Sequence, residues 1–351
     1  MSRADRLVEL LRERELDSLL VTDLVNVRYL TGFTGTNGAC VVTPDERLFL
    51  TDSRYTELSK QQVSDFELLE ASQALLGDLA ARLRGRAGFD DADLSVKAHA
   101  KLASEVSAEV ELVAAGGLVE ELRAVKEPGE VDAMRAATKI ADAAYSELQG
   151  AGLVGRTERE VARSIVRFLE DSGADEVSFP PIVAAADNGA LPHAVPRDVE
   201  IPAGTLVVID LGARLDGYCS DCTRTFATGS LPDRQVEAYE AVHIAQRLAL
   251  DEIRAGTSCK EVDADAREVI ESRLGVTFDH GLGHGVGLEV HEGPRLARTA
   301  EGALEAGNAV TVEPGVYVPG EFGIRIEDLV IVTESSCDIL TGFPKELVTV
   351  N

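Results

Sequence analysis

The chain carries the same block of secondary structure twice, at an offset of about 100 residues, and this duplication limits the fold more than any other feature. In the first block, apolar Val131, Met134, Ala137, Ala141, Tyr145 and Leu148 fall at helical spacing within Glu130–Leu148. Thr157 and Glu160 make a capping box that leads Val161, Ile165 and Phe168 into a second helix. A β-hairpin follows at 205–228. The second block repeats the order, with a helix at 233–254, a capping box at Ser258 and Glu261 leading Val262, Ala266, Val269 and Ile270, and a hairpin at 309–333. Two such halves predict an α+β domain in which both hairpins build one curved antiparallel sheet, with the helices on its outer face.

The hairpins carry acids where strands disfavour them. Asp216-Gly217 is a two-residue turn that pairs 215 with 218, so paired numbers sum to 433. Asp210 and Asp221 then fall on one face as diagonal neighbours. In the second hairpin a three-residue loop at Pro319–Glu321 places Glu313 opposite Glu327, and Arg325 shares the Glu327 face. Four converging carboxylates repel by several kcal/mol per close pair at an effective dielectric near 20, in order of magnitude. One arginine cannot neutralise four acids, whereas two divalent ions can; such an oxygen-rich set suits Mn²⁺, or Co²⁺ or Zn²⁺ if a nitrogen joins.

Nitrogen donors stand between the hairpins. The stretch from Asp279 to Pro294 holds His280, His284 and His291, with glycines at 281, 283, 285 and 287 that allow a close backbone approach. His193 precedes the first hairpin, while His99 and His243 sit on ordinary stretches. His280 and His284 lack the glutamate of a zincin motif, and neither a P-loop nor a Gly-x-Ser-x-Gly elbow occurs. Cys219 and Cys222 have Cys-x-x-Cys spacing but no second pair, so a zinc or redox role is set aside.

Composition narrows the partners. With 61 Asp+Glu against 34 Lys+Arg the formal charge is −27, which argues against nucleic acid and against an anionic membrane surface. Met1–Leu11 is interrupted by charges, no apolar run is long enough to span a bilayer, and five cysteines are too few for a disulfide scaffold. A cytoplasmic protein is expected. The first third has the pattern of a smaller α/β domain: a helix at 3–14, strands at 18–22, 26–33, 40–43 and 47–51, and a helix at 75–86. Leu122 to Glu130 resembles a linker entering a helix, which sets expected domains at 1–123 and 124–351.

These residues resemble the creatinase/prolidase/aminopeptidase P family of metallopeptidases (M24), whose catalytic domain is the pita-bread fold. The resemblance rests on Asp210-Leu-Gly, Ser220-Asp221-Cys-Thr-Arg-Thr, His280-Gly-Leu-Gly-His284-Gly-Val-Gly, His291-Glu-Gly-Pro294, Val312-Glu313-Pro-Gly-Val-Tyr and Gly323-Ile-Arg-Ile-Glu327-Asp. Tyr29-Leu-Thr-Gly32-Phe and Thr51-Asp-Ser-Arg54-Tyr55 look like its creatinase-like N-terminal domain. The resemblance implies five metal ligands, Asp210, Asp221, His284, Glu313 and Glu327, with Asp221 and Glu327 bridging two divalent ions that activate a shared water. It implies hydrolysis of the bond between an N-terminal residue and proline. Glu313 would shuttle a proton, His291 and His280 would meet the developing oxyanion, His193 would contact substrate near the proline, and Arg325 would orient Asp221 or Glu327.

Within that family, prolidases cut Xaa-Pro dipeptides and aminopeptidase P acts on longer Xaa-Pro-Yaa peptides. Arg295 and Arg298, just after His291, offer guanidinium groups for a proline carboxylate and favour the dipeptidase. A different class, the metal-free pita-bread binding module, is opposed by the presence of all five ligands. The family also implies a homodimer, with the small domain of one subunit near the other's active site; the glycine-rich loop Gly32–Gly38 is the contact expected to border the partner's cleft.

Overall fold

The computed structural model describes residues 1–71 and 75–351, which form two compact units, Met1–Arg123 and Ala124–Asn351. The first contains α1 (Arg3–Glu13), β1 (Ser18–Val21), α2 (Leu24–Thr31), β2 (Gly38–Val42), β3 (Arg47–Thr51), α3 (Thr56–Gln62) and β4 (Glu67–Glu70). It continues with α4 (Leu75–Ala80), β5 (Arg86–Phe89), α5 (Val96–Glu105), β6 (Glu111–Ala114) and the terminal helix α6 (Leu118–Ala124). Its strands make one mixed sheet in the order β4-β3-β2-β1-β5-β6.

Two assignments change here. The stretch 26–33, expected as a strand, is helix α2. Asp23 caps it by accepting from the Asn26 N–H at 2.8 Å, and Gly32 ends it in the left-handed region at φ 79°. Its buried Asn26, Val27, Leu30 and Thr31 lie four apart in pairs, a helical face that the run of β-formers masked. The helix expected over 75–86 stops at Ala80; Gly85, at φ 53°, turns the chain, and Arg86 opens β5.

The second unit opens with α7 (Pro128–Ala151) and α8 (Glu158–Asp171), followed by β7 (Glu176–Val177) and β8 (Ile182–Ala185). The first hairpin is β9 (Leu206–Leu211), β10 (Ala213–Leu215), β11 (Tyr218–Cys219) and β12 (Cys222–Ala227). Then come α9 (Asp233–Glu252), α10 (Cys259–Leu274), β13 (Gly283–Gly285) and β14 (Glu292–Leu296). The second hairpin is β15 (Ala309–Val312), β16 (Gly315–Val318), β17 (Phe322–Arg325) and β18 (Asp328–Val332), with β19 (Cys337–Ile339) last. The Thr157 capping box forms in full, whereas at Ser258 the structure shows the hydroxyl accepting from Glu261 N–H, half of the expected box.

Each helix pair covers its own hairpin. Tyr145, Leu148, Val161 and Ile165 pack with Val207, Ile209, Leu211 and Phe226, and the Tyr145 hydroxyl donates to the carbonyls of Ile209 and Cys222. Val242, Val262 and Ile270 pack with Val310, Val312, Ile324 and Val330. Burying each such side chain contributes about 1.5–3 kcal/mol. The curvature comes from interruption. Each hairpin splits midway, so β9–β12 and β15–β18 pair in different sheets from β10–β11 and β16–β17. The hairpins are stitched together by the Thr225 hydroxyl, which bonds both the N–H and the C=O of Arg325, and by Glu327 N–H, which donates to Thr223 O at 3.1 Å.

Candidate metal centre

The acids stand at the interruptions. Asp210 is one residue from the end of β9, Asp221 lies between β11 and β12, Glu313 follows β15, and Glu327 lies between β17 and β18. Leu215 pairs with Tyr218 and Asp210 with Thr223, the register the Asp-Gly turn dictates. Val312 pairs with Asp328 and Gly315 with Arg325, which puts Glu313 across from Glu327. His284 is the centre of β13, whose Gly285 pairs with Val310 of β15.

The glycines around His284 serve the neighbouring strands. A Cβ on Gly283 would lie 1.9 Å from Thr311 O, and one on Gly285 would lie 2.0 Å from Gly293 O. The expected close approach is therefore to adjoining backbone, and it wedges the histidine strand against both neighbours.

The site gathers these side chains tightly. His284 Nε2 is 3.3 Å from Glu313 Oε1 and 3.6 Å from Asp221 Oδ2. One donor atom each from Asp221, His284 and Glu327 lie within 4.8 Å of one another. His284 Nδ1 lies 3.0 Å from Gly285 O, so the proton sits on Nδ1 and the Nε2 lone pair faces the acids. Two buried threonines hold the glutamates: Thr223 donates to Glu327 at 2.7 Å and Thr311 to Glu313 at 3.2 Å.

Arg325 was expected to orient Asp221 or Glu327. Instead its Nη2 donates to Asp210 Oδ2 at 2.8 Å, and its Nε reaches Glu327 only through Thr223 Oγ1, at 3.0 Å. It stands on β17 directly across from Gly315, and the packing of β17 against β9 brings its fork to Asp210. The other Asp210 oxygen, Oδ1, is buried and has no hydrogen-bond partner among the described residues.

That orphaned oxygen tests the fit of a cation. A buried carboxylate oxygen without a donor is costly, and a metal ion satisfies it. Burial, and then the charges of Glu327, Asp210 and Glu313, push the Asp221 carboxyl well above its ordinary range. Burial followed by Glu313 and Asp210 does the same to Glu327, and burial raises Glu313. Protein charge alone leaves these groups uncompensated. Four oxygen donors and one neutral imidazole suit divalent ions.

A cleft of about 520 Å³ opens over the acids. Phe179, Pro180, Pro181, Val195 and Pro196 form an apolar wall, and His193, His280, His291 and Arg295 line the same space. The His291 ring packs edge-on against His284, with centroids 4.4 Å apart. His280 departs from the expected oxyanion role because both of its ring nitrogens are engaged. Nδ1 faces Gly281 O at 2.7 Å, and Nε2 faces the Tyr317 hydroxyl at 3.0 Å, which itself accepts from Arg325. Arg298 is exposed and is not among the residues lining the cleft; it follows the end of β14 on the opposite parity from Arg295 and Ala297.

Sequence reasoning passed over Thr223, Thr311 and Tyr317. Tyr317 shares the parity of Glu313 on the same arm, and Thr223 is the partner of Asp210 in the register already derived, so both were within reach. Nothing in the sequence pattern marked Phe179–Pro181 as a cleft wall.

Residues 132–334 match the family described as metallopeptidase family M24, and residues 3–125 match the creatinase/prolidase N-terminal domain. The chain belongs to metallopeptidase family M24: a peptidase with a creatinase-like N-terminal domain and a pita-bread catalytic domain. It is 35% identical to an Xaa-Pro dipeptidase of Pyrococcus furiosus, over 98% of this chain and 99% of that one. The solved Xaa-Pro dipeptidase from Bacillus anthracis superposes with a TM-score of 0.95 at 36% identity, covering 99% of both chains. The X-Pro aminopeptidase from Thermotoga maritima gives 0.91 at 33% identity, covering 99% of this chain and 100% of that one. No helix among the described residues is long and apolar enough to cross a membrane.

Proposed function

We propose that this chain is an Xaa-Pro dipeptidase whose site residues are Asp210, Asp221, His284, Glu313 and Glu327 as ligands of two divalent ions, with His193, His291, Arg295 and Arg325 around the substrate. The observation that carries this reading is that five donors line one cleft while, among the described residues, the Asp210 Oδ1 lone pairs are unmet. It also disfavours the metal-free binding module. When bound, the ions supply a Lewis acid for the scissile carbonyl and an acidified water.

The chain's own residues do the rest. Glu313, its carboxyl raised by burial, takes a proton at Oε and returns it to the leaving proline nitrogen, which departs poorly unless protonated. Burial, and then the neighbouring His284, lowers His291, so a neutral ring meets the developing oxyanion by donating one N–H. His280 holds Tyr317, and Tyr317 holds Arg325 on Asp210. Arg295, cross-strand partner of His284, grips the proline carboxylate, and His193 and the apolar wall receive the ring.

The ions proposed are Mn²⁺, with Co²⁺ or Zn²⁺ as substitutes, because four of five donors are oxygen. The reading extends to domains at 1–123 and 124–351 and to a cytoplasmic homodimer whose 32–38 loop borders the partner's cleft; free thiols at all five cysteines support a reducing compartment. The test compares an Xaa-Pro dipeptide with the matching Xaa-Pro-Yaa tripeptide in added Mn²⁺. Faster release of proline from the dipeptide is expected. Preference for the tripeptide would assign an aminopeptidase, and no hydrolysis of either, with no bound Mn, Co or Zn, would remove the peptidase reading.

A further inference from the structure

We propose that Glu158 and Arg197 are positioning residues that set the substrate-facing wall of the cleft, an inference that rests on the peptidase function proposed above. After β8 ends at Ala185, a short 3-10 turn covers Ala186–Ala190, and the chain then runs on to β9. This stretch supplies Pro192, His193, Ala194, Val195 and Pro196 to the cleft. His193 and Val195 are exposed, and residues 191–197 belong to no helix or strand. A loop of that kind has little stability of its own.

One buried carboxylate closes it. Glu158, the first residue of α8, is 1% exposed. Its Oε1 accepts from Ala185 N–H at 2.9 Å, and its Oε2 accepts from Asn188 Nδ2 at 2.9 Å and from Arg197 N–H at 2.8 Å. The Arg197 guanidinium adds Nε to Oε2 and Nη2 to Oε1, each at 3.3 Å. Residues 185 and 197 are thus held by the same side chain. Arg197 also forks onto Asp187, at 3.0 and 3.1 Å. The start of α8 reinforces the closure, because the N–H groups of Glu158 and Arg159 donate to the carbonyls of Val199 and Arg197.

Two features show that the closure works against a resisting backbone and toward the metal centre. Ala186, between the first two anchors, sits at φ 51°, a left-handed conformation unfavourable for a residue with a Cβ. Opposite the anchors, Arg325 Nη1 donates to Pro192 O at 3.1 Å while its Nη2 holds Asp210. The residue before His193 is therefore tied to a proposed metal ligand, and the loop ends are tied to Glu158. A mere stability clamp would alter unfolding alone; a positioning clamp must also alter how substrate is held.

The experiment uses the full chain with Glu158→Gln, and with Arg197→Lys and Arg197→Met as variants that spare the buried acid. Hydrogen exchange, metal content and steady-state kinetics on an Xaa-Pro dipeptide are measured together. Exchange across 186–197 should rise at least about tenfold in Glu158→Gln and Arg197→Met, while β9 and α9 keep wild-type protection. KM should rise about tenfold with kcat within about threefold, metal content should not change, and Arg197→Lys should lie between. Unchanged exchange in the loop, exchange raised evenly over the whole chain, or an unaltered KM would each overturn the proposal. If the wild type cleaves no Xaa-Pro bond, the function proposed above fails, and the exchange and metal measurements still decide whether Glu158 closes the loop.

Discussion

Arg224 and Asp328 form an ion pair at 2.9 Å with both side chains at most 2% exposed, immediately behind the carboxylates of the centre. Arg224 also donates to the backbone carbonyls of Glu327 and Phe343, and Asp328 accepts from Gln246, Thr341 and Lys345. Removing Asp328 leaves the buried Arg224 guanidinium without a carboxylate, whereas removing Arg224 leaves Asp328 with Lys345. Asp328→Asn should lose about 3–5 kcal/mol in denaturant unfolding, and Arg224→Met less. A loss below about 1 kcal/mol, within the range of exposed pairs, would show that the pair carries no such load.

Without cations the crowded acids of the centre should destabilise the fold at neutral pH. Asp221, Glu313 and Glu327 have carboxyls raised by burial, so the folded chain binds their protons more tightly than the unfolded one. Their contribution is greatest below the unfolded value of about 4 and declines as pH rises through the folded values. Asp328 has the opposite sign: burial would raise it, but Arg224 and Lys345 hold it low, so its contribution is lost only as pH falls below about 4. Divalent ions displace the protons of the first group. The Tm gained on adding Mn²⁺ to chelator-treated protein should therefore be larger at pH 8 than at pH 5, and scanning calorimetry at the two values checks it. An equal gain at both would contradict the assignment.

One ligand substitution should move activity and stability apart. Asp221→Asn removes a charge from the repelling group, so the metal-free protein should be more stable than metal-free wild type. The same change should lower kcat by about three orders of magnitude, equivalent to about 4 kcal/mol of barrier. Chemical denaturation in chelator, set beside turnover in Mn²⁺, reads both. Lower metal-free stability would mean that Asp221 serves as a structural hydrogen-bond acceptor.

Arg295 lines the cleft on the strand paired with His284. If it holds the proline carboxylate, Arg295→Ala loses a charge-assisted hydrogen bond of about 1.5–3 kcal/mol. KM for Xaa-Pro should rise about tenfold or more while KM for Xaa-Pro-Yaa changes little. Equal effects on the two substrates would take the carboxylate away from Arg295.

Gly283 and Gly285 leave no room for a methyl group against Thr311 O and Gly293 O. Gly283→Ala should push β13 from β15, cost about 1–3 kcal/mol and weaken ion binding through His284. Urea unfolding with calorimetric titration of Mn²⁺ tests both, and unimpaired binding would show that the strand yields without moving the imidazole.

The duplicated domain was legible because its signals are periodic. Capping at Thr157, helical spacing from Val131 to Leu148, and the Asp216-Gly217 turn each fix local geometry, and a period of two then carries Asp210 and Asp221 to one face. The four acids stood out because an acid inside a strand needs a reason, and the choice of His284 among the histidines came from the family resemblance. What stayed hidden depends on contacts between distant segments. Which acid Arg325 reaches is set by how β17 packs on β9 of the other hairpin, and no pattern within either hairpin records that contact. The loop that carries His193 is ordered by Glu158, which reads in sequence as one more first-turn helix acid. In the first unit, the β-formers Val27, Tyr29 and Leu30 concealed a helix whose limits are set by Asp23 and Gly32.

The first hairpin contributes Asp210 and Asp221, and His284, Glu313 and Glu327 arrive with the second half. Neither half of the duplicated domain therefore holds all five of the proposed donors. Any opening that parts the two hairpins would divide that set and disarm the enzyme before the rest of the domain comes apart.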